Sequence, residues 1–157
     1  MKEKNLLRKL GQETIYSAKG HFKSADIRRI QTKWTIVLCM ILNVIGIIGI
    51  SEMVDKWLSA FGLLGTFFLF YWDAEEGKDY RAKHKAIGER YLSLHKEIRE
   101  CYFLSECKTE EVKRLNDRVV KLDQEARPEI PHLARKWAQR AIEKDDETDN
   151  WFLKSKQ

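Results

Sequence analysis

The chain has 157 residues, about one small domain, with a formal net charge of +5 and 34% charged residues. Two long apolar stretches nevertheless carry no charged residue, so the charges are concentrated in the rest of the chain. This division excludes a single evenly mixed soluble globule and indicates that the chain occupies two different environments.

The N-terminal segment, residues 1–33, is predicted to be a cytoplasmic juxtamembrane helix. Its apolar residues recur every three or four positions, first over residues 3–19 and then onward, which gives one stripe of a helix. Gly11 and Gly20 are weak points in this helix, and Ser24 is a suitable N-cap for a second helix running into the membrane. The pattern does not decide whether Gly20 divides one helix into two.

Residues 34–72 organise the chain and are predicted to form a transmembrane hairpin. Its two charge-free runs, 34–50 and 57–72, contain 17 and 16 residues. As helices each spans roughly 25 Å, slightly less than the hydrocarbon core of about 30 Å. Trp34 and Trp72 would lie at one membrane face and Trp57 at the other, as interfacial aromatic residues do. The alternative, a hairpin buried in a soluble core, needs wide apolar faces that the polar flanks do not supply.

The charge distribution predicts the orientation of this hairpin. Residues 1–33 carry a net charge of +6, the connector carries −1, and residues 73–157 are neutral. The positive-inside rule therefore places both termini in the cytoplasm and leaves only the short connector outside. The expected partner of the basic segment is the anionic lipid bilayer, and no sequence-specific nucleic-acid binding is expected.

Small and polar residues inside the two runs are candidates for helix packing or for lining a pore. An amide at mid-depth in a membrane is expensive unless it is hydrogen-bonded, and small residues let helix backbones approach closely. The pattern leaves open whether these residues pack the hairpin on itself or contact other copies. The candidates are Asn43, Gly46, Gly49, Ser59, Gly62 and Gly65.

Residues 73–126 are predicted to form a cytoplasmic helical stalk that continues the second membrane helix. Apolar and aromatic residues alternate at spacings of three and four, which is a heptad pattern. This stalk seam must pack on the N-terminal helix, on a later helix or on another copy of the chain. Either a turn near Ser105–Thr109 folds the chain back, with Thr109 as N-cap, or one continuous helix persists. The seam residues are Tyr80, His84, Ile87, Tyr91, Leu94 and Ile98.

Residues 127–157 are predicted to form a short helix and a tail after a proline-containing break. The helix is expected at residues 132–144. Three large apolar residues near the end, Trp151, Phe152 and Leu153, are expected to dock into a groove of this chain or of a partner.

The sequence contains no recognisable catalytic, metal-binding or nucleotide-binding motif. It therefore predicts neither an enzyme nor a cofactor. Cys101 and Cys107 fall in the part assigned to the cytoplasm, where thiols stay reduced, so a structural disulfide is not expected. His21 and His84 could face each other beside the membrane, where interhelical packing is favoured over pH sensing.

Short motifs on both sides of the hairpin resemble the SLATT group, the two-transmembrane effector domains of bacterial conflict systems. The resemblance covers about residues 5–105, and its motifs are soft, so their order and their distance from the hairpin carry it. They are Tyr16-x-Ala18-x-x-His21 with Ala25 before the first run, and Tyr80-Arg81-Ala82-x-x-x-Ala86 and Gly88-Glu89-Arg90-Tyr91-Leu92 after the second.

This resemblance implies an all-α membrane protein: a two-transmembrane hairpin with long juxtamembrane helices and a cytoplasmic stalk. It implies an antiphage membrane effector that oligomerises and forms a pore or disrupts the membrane, arresting or killing the infected cell. A separate regulatory partner, either a nucleotide-signal enzyme or sensor or a reverse transcriptase, would trigger it. The alternative is a membrane anchor or scaffold that recruits a cytoplasmic enzyme without forming a pore.

Overall fold

A computed structural model describes residues 2–48, 52–72, 77–104, 107–126, 128–143 and 151–152. The regular elements in these ranges are all helices, as expected from the sequence, and no strand occurs among them. In chain order they are α1 (Lys2–Ile48), α2 (Glu52–Trp72), α3 (Lys78–Phe103), α4 (Thr109–Glu125) and α5 (His132–Glu143).

These helices form two compact units. The bundle unit contains Met1–Ala25 and Lys83–Gln157, and the hairpin unit contains Asp26–Ala82. The single helix α1 contributes residues to both units. Each unit has its own internal packing and is described separately.

Helix α1 has no interruption at the predicted weak points. Gly11 and Gly20 both lie within it, and a Cβ atom at either position would meet a neighbouring side chain, Trp151 or Ile130 respectively. Glycine costs a helix roughly 1 kcal/mol relative to alanine, but here it provides room for tertiary contacts. The prediction of Ser24 as an N-cap is wrong, because its hydroxyl donates a 2.8 Å hydrogen bond to the Gly20 carbonyl in mid-helix.

The core of the bundle unit joins α1, α3 and α4. Helices α3 and α4 are antiparallel: Tyr91 donates a 2.5 Å hydrogen bond to Asp123, and Glu97 pairs with Arg118, so residue numbers fall along α3 as they rise along α4. The buried core residues are Leu7, Leu10, Ala18, Tyr91, Leu94, Ile98, Cys101, Val112, Leu115, Val119 and Leu122.

The chain turns between α3 and α4 instead of continuing as one helix. Helix α3 ends at Phe103, and Lys108 has the extended backbone angles φ −74° and ψ 147° before α4 begins. The predicted N-cap is therefore one residue too late. Lys108 is the N-cap, and Thr109, the first helical residue, donates a 2.6 Å hydrogen bond from its hydroxyl to Glu3.

Cys101 and Cys107 are joined as a disulfide across this turn, with their Cα atoms 5.4 Å apart. The expectation of two separate thiols is therefore wrong for this structure. That expectation rested on the compartment alone, whereas the turn brings the end of α3 next to the residue that precedes the α4 N-cap.

Helix α5 begins at His132, as predicted, and ends at Glu143. It buries a stripe of small residues, Ala134, Ala138 and Ala141, together with Ile142. Ile142 packs with Ile15 of α1 and with Phe152 in a second core cluster of the bundle unit. The small side chains allow α5 to approach its neighbours closely.

The hairpin unit contains residues 26–48 of α1 and all of α2. Both helices are long and apolar enough to cross a membrane, and only 6% of each apolar window is buried within the chain. This exposure contradicts the alternative of a hairpin buried in a soluble core. The predicted continuation of α2 into the stalk falls on residues 73–76, outside the described residues.

Candidate functional site

The small residues of the hairpin unit lie where α1 meets α2. A Cβ atom at Gly46 would lie 3.0 Å from the backbone nitrogen of Ser59 and would also meet its side chain. A Cβ atom at Gly62 would lie 2.7 Å from the amide nitrogen of Asn43. The backbones therefore approach so closely that these glycines cannot be enlarged without a shift.

One more contact continues this interface. A Cβ atom at Gly65 would lie 3.2 Å from the Cys39 sulfur, and Cys39 is buried, as Gly62 is. Five of the six predicted packing candidates thus lie in or beside the α1–α2 contact within one chain. The sixth, Gly49, is outside the described residues.

Asn43 is satisfied within its own helix. Its amide nitrogen donates a 2.8 Å hydrogen bond to the carbonyl of Cys39, one turn earlier. The hydrogen bond that a mid-depth amide needs is therefore made within α1, and the same amide packs against Gly62 of α2. The side-chain oxygen of Asn43 thus lies at the α1–α2 contact, 3.1 Å from the position of a Cβ atom at Gly62.

The outward faces of the hairpin helices are apolar and aromatic. On α2, Phe67 and Phe70 are 72% and 80% exposed. On α1, Trp34 is 69% exposed at the start of the first run, as an interfacial residue should be. Such surfaces suit lipid, because exposed apolar patches of this extent are rare on soluble monomers.

The stalk seam is used inside the bundle unit. His84, Tyr91, Leu94 and Ile98 are buried, and Ile87 is half-buried at the edge of the core. The remaining seam residue, Tyr80, belongs to the hairpin unit. Of the three partners considered for the seam, the structure contains two, the N-terminal helix and a later helix of the same chain.

A pair of buried histidines links α1 to α3. The Nδ1 atoms of His21 and His84 are 2.8 Å apart, and the two residues are 2% and 0% exposed. One ring must donate and the other accept, so the pair fits two neutral imidazoles of opposite tautomer. The Tyr91 ring stacks on His21 with centroids 5.8 Å apart.

Burial determines the protonation of this pair. Burial first, and then the charge of a protonated His84, lowers the pKa of His21 from 6.5 to about 4. Burial likewise lowers the pKa of His84. Burial and the hydrogen bond to Asp123 raise the pKa of Tyr91, so the Tyr91 hydroxyl stays protonated. The expected interhelical packing role of the histidines therefore requires both to be neutral.

The C-terminal tail docks into a groove of its own chain. The Trp151 ring lies against Tyr102, with centroids 4.8 Å apart, and fills the space beside Gly11. Phe152 is 3% exposed, and its carbonyl accepts a 3.3 Å hydrogen bond from Arg8. The third predicted docking residue, Leu153, is outside the described residues.

The groove contains a polar feature that the sequence analysis missed. Buried His95 lies 2.9 Å from the Gly11 carbonyl and 3.3 Å from the Thr14 hydroxyl through its Nδ1 atom, and its ring faces Trp151. The indole N–H of Trp151 is buried without a hydrogen-bond partner in the described part of the chain. Apolar and ring contacts therefore hold the tail, because an unsatisfied donor opposes docking by about 1–3 kcal/mol.

The motif residues from the two sides of the hairpin pack against each other in the bundle unit. His21 of α1 pairs with His84 and stacks on Tyr91 of α3. A Cβ atom at Gly88 would lie 2.9 Å from the ring of Phe22, which follows His21. The spacing of these soft motifs is thus explained by one helix–helix contact.

These features define an all-α protein with two helices suited to crossing a membrane. Residues 1–131 match the family model described as SMODS and SLOG-associating 2TM effector domain 6. The chain belongs to this family, and the SLATT resemblance is confirmed. No curated protein and no solved structure matches the chain.

This family assigns the chain a role as a membrane effector in biological conflict or defence. Effector domains of this kind are associated with partner enzymes and are not themselves catalytic. The match ends one residue before α5, so α5 and the docked tail lie beyond the family segment.

Proposed function

We propose that this chain is an antiphage effector of the bacterial inner membrane that permeabilises the membrane when a partner triggers it. The observation that carries the proposal is the exposure of one apolar window in α1 and one in α2, each only 6% buried, in a member of a two-transmembrane effector family. The +6 charge of residues 1–33 and the −1 charge of the connector support a topology with both termini in the cytoplasm.

In the inactive state the stalk seam is buried within the bundle unit. The buried seam residues pack on α1 and α4 of the same chain, so they are not available to other copies. A separate partner protein, either a nucleotide-signal enzyme or sensor or a reverse transcriptase, alters this packing. The seam residues, Tyr80 included, then become contacts between copies.

In the active state the hairpins regroup into an oligomer. The small residues that now join α1 to α2 can instead join helices of different copies, since the same close approach serves both kinds of contact. Asn43 then exchanges its bond to Cys39 for a bond across helices or for a place in an aqueous pore. The result is a pore or a disrupted bilayer, which arrests or kills the infected cell.

A second candidate function is a membrane anchor or scaffold that recruits a cytoplasmic enzyme and forms no pore. Leu133 and Trp137 favour it, because they lie one turn apart on α5 and are 56% and 42% exposed. Such an apolar pair suits a protein partner. In this function the hairpin only holds the bundle unit at the membrane.

Asn43→Leu separates the two functions. Growth of cells that express the chain with its partner is measured for wild type, for Asn43→Leu and for a matched control, Val44→Leu. Val44 is 53% exposed on the same helix, so its change tests lipid-facing bulk alone. The pore proposal predicts that only Asn43→Leu, at equal amounts in the membrane fraction, restores growth. Unchanged growth arrest with Asn43→Leu would contradict the pore proposal and favour the anchor.

A further inference from the structure

The turn between α3 and α4 carries a pair of cysteines at bonding geometry. Cys101 lies in the last turn of α3, and Cys107 immediately precedes the N-cap of α4. Their Cα atoms are 5.4 Å apart, within the 4.4–6.8 Å that disulfides require, and the structure joins them. The backbone therefore needs no rearrangement to close or open the bond.

The two sulfur atoms differ in access. Cys101 is 8% exposed and belongs to the bundle core, whereas Cys107 is half-buried at the edge of that core. A small thiol reagent therefore reaches Cys107 first. Cys101, on the core side, can then attack the sulfur atom of Cys107.

A surface cavity lies beside the pair. Its lining includes Cys101, Glu111, Arg114 and Arg118. The Glu111 carboxylate lies within 4.8 Å of both sulfur atoms. Glu97 and Glu100 also line the cavity, and Arg118 is paired with Glu97, so the two arginines give the cavity no excess of positive charge. The cavity therefore offers a small disulfide access to the Cys101 side of the pair without selecting it by charge.

The compartment determines what such a bond does. Cytosolic disulfides in most organisms are transient and either catalytic or redox-sensing, whereas structural disulfides belong to oxidising compartments. The proposed topology, on which this argument for reversibility rests, places the bundle unit in the cytoplasm. A permanent structural bridge would be unusual there.

We infer that Cys101 and Cys107 form a reversible redox site that exchanges with low-molecular-weight disulfides and sets the stability of the α3–α4 turn. The Cys107 thiolate attacks the external disulfide, forming a mixed disulfide and releasing one external thiolate. The Cys101 thiol loses its proton to solvent and displaces the second external thiolate. The protein loses two electrons, and one external disulfide becomes two thiols.

The closed bond stabilises the contacts around the turn. These include the hydrogen bond from Thr109 to Glu3 and the packing of Val112 and Leu115 in the core. The bridge closes a loop with a sequence separation of six residues. Opening the bridge restores conformational entropy to the unfolded chain. For a loop this short in a chain of this size, the melting temperature should fall by roughly 5–10 °C.

The test uses the full chain in detergent with Cys39 changed to alanine, so that Cys101 and Cys107 are its only cysteines. The protein is equilibrated in mixtures of reduced glutathione and glutathione disulfide, quenched with acid and labelled with a thiol-reactive polymer. We expect two labelled thiols at the reduced end of the series, none at the oxidised end, and a melting temperature roughly 5–10 °C higher in the oxidised form.

The matched control adds Cys107→Ser to Cys39→Ala, which leaves the core residue Cys101 in place. Its melting temperature should be the same at both ends of the series. Four outcomes would overturn the inference: a bond that stays closed in excess reduced glutathione, stable attachment of glutathione, a disulfide between two chains, or equal melting temperatures of the two forms. None of these measurements uses membrane activity. They can therefore overturn the redox site while the permeabilising function stands, and a failure of the permeabilising function leaves their outcome unchanged.

Discussion

The buried histidine pair predicts that the bundle unit loses stability as the pH falls. Folding holds the pKa of His21 at about 4, whereas the unfolded chain has the ordinary value of 6.5. Between these values the unfolded chain binds a proton that the folded chain does not. The free energy of unfolding therefore decreases as the pH falls through this window and levels off below about pH 4.

The magnitude follows from these two pKa values. Between pH 7.5 and pH 4.5, His21 alone lowers the free energy of unfolding by about 2.5 kcal/mol. The pKa of His84 is also lowered by burial, so its contribution has the same sign. For a chain of this size the His21 effect corresponds to roughly 5–10 °C in melting temperature.

The assay is denaturation of the full chain in detergent, followed by circular dichroism at a series of pH values. Carboxylates also titrate in this range, so the quantity compared is the difference between wild type and His21→Gln. We expect the variant to lose about 2.5 kcal/mol less than wild type over the interval. His132→Gln is the control for replacing a histidine by glutamine, because His132 is exposed on α5 and is not part of the buried pair. Parallel pH profiles for wild type and His21→Gln would refute the neutral buried pair.

Two further predictions concern the docked tail and the hairpin contact. Trp151→Ala should lower the free energy of unfolding by about 3 kcal/mol, because it removes the ring that fills the groove beside Gly11. Its control, Trp137→Ala, should lower the free energy of unfolding by less than about 1 kcal/mol, because Trp137 is 42% exposed. Equal losses for the two variants in a denaturant titration would contradict the docking of the tail. Gly62→Val should destabilise the hairpin by about 1–3 kcal/mol, because the valine side chain would meet Asn43. The control Phe61→Val should destabilise it less, because Phe61 is 64% exposed. Thermal melts that do not distinguish the two variants would contradict the close contact.

The helices themselves could be predicted from the sequence. The period-3.6 pattern after the proline break located α5 to within about one residue, whereas the start of α4 was one of two alternatives that the pattern left open. The charge-free runs located the hairpin, since runs of this length with no charge have few alternatives. The order of soft motifs around the hairpin was enough to suggest the family that the chain belongs to.

The partners of each face could not be predicted in the same way. A heptad seam indicates that a helix packs on something, but His84 and Ile98 carry no information on whether the partner is the same chain or a copy. The structure supplies α1 and α4 as partners because a turn follows Phe103.

Single glycines were the least informative residues in the sequence. Gly11 was interpreted as a weak point in a helix, although it makes room for Trp151, which is 140 residues away along the chain. A glycine adds nothing to the periodic pattern of apolar residues, so the sequence does not show which side chain packs against it. The Cys101–Cys107 bond was missed for a different reason, because the expectation of reduced thiols rested on the assigned compartment and not on the turn that brings the two residues together.

The measurement that tests the central claim most directly is the membrane potential of living cells. The chain is induced together with its activating partner, and a potential-sensitive dye is followed in single cells before growth stops. A permeabilising effector predicts loss of potential only when the chain and the partner are both present. Unchanged potential and unchanged growth under those conditions would contradict the account.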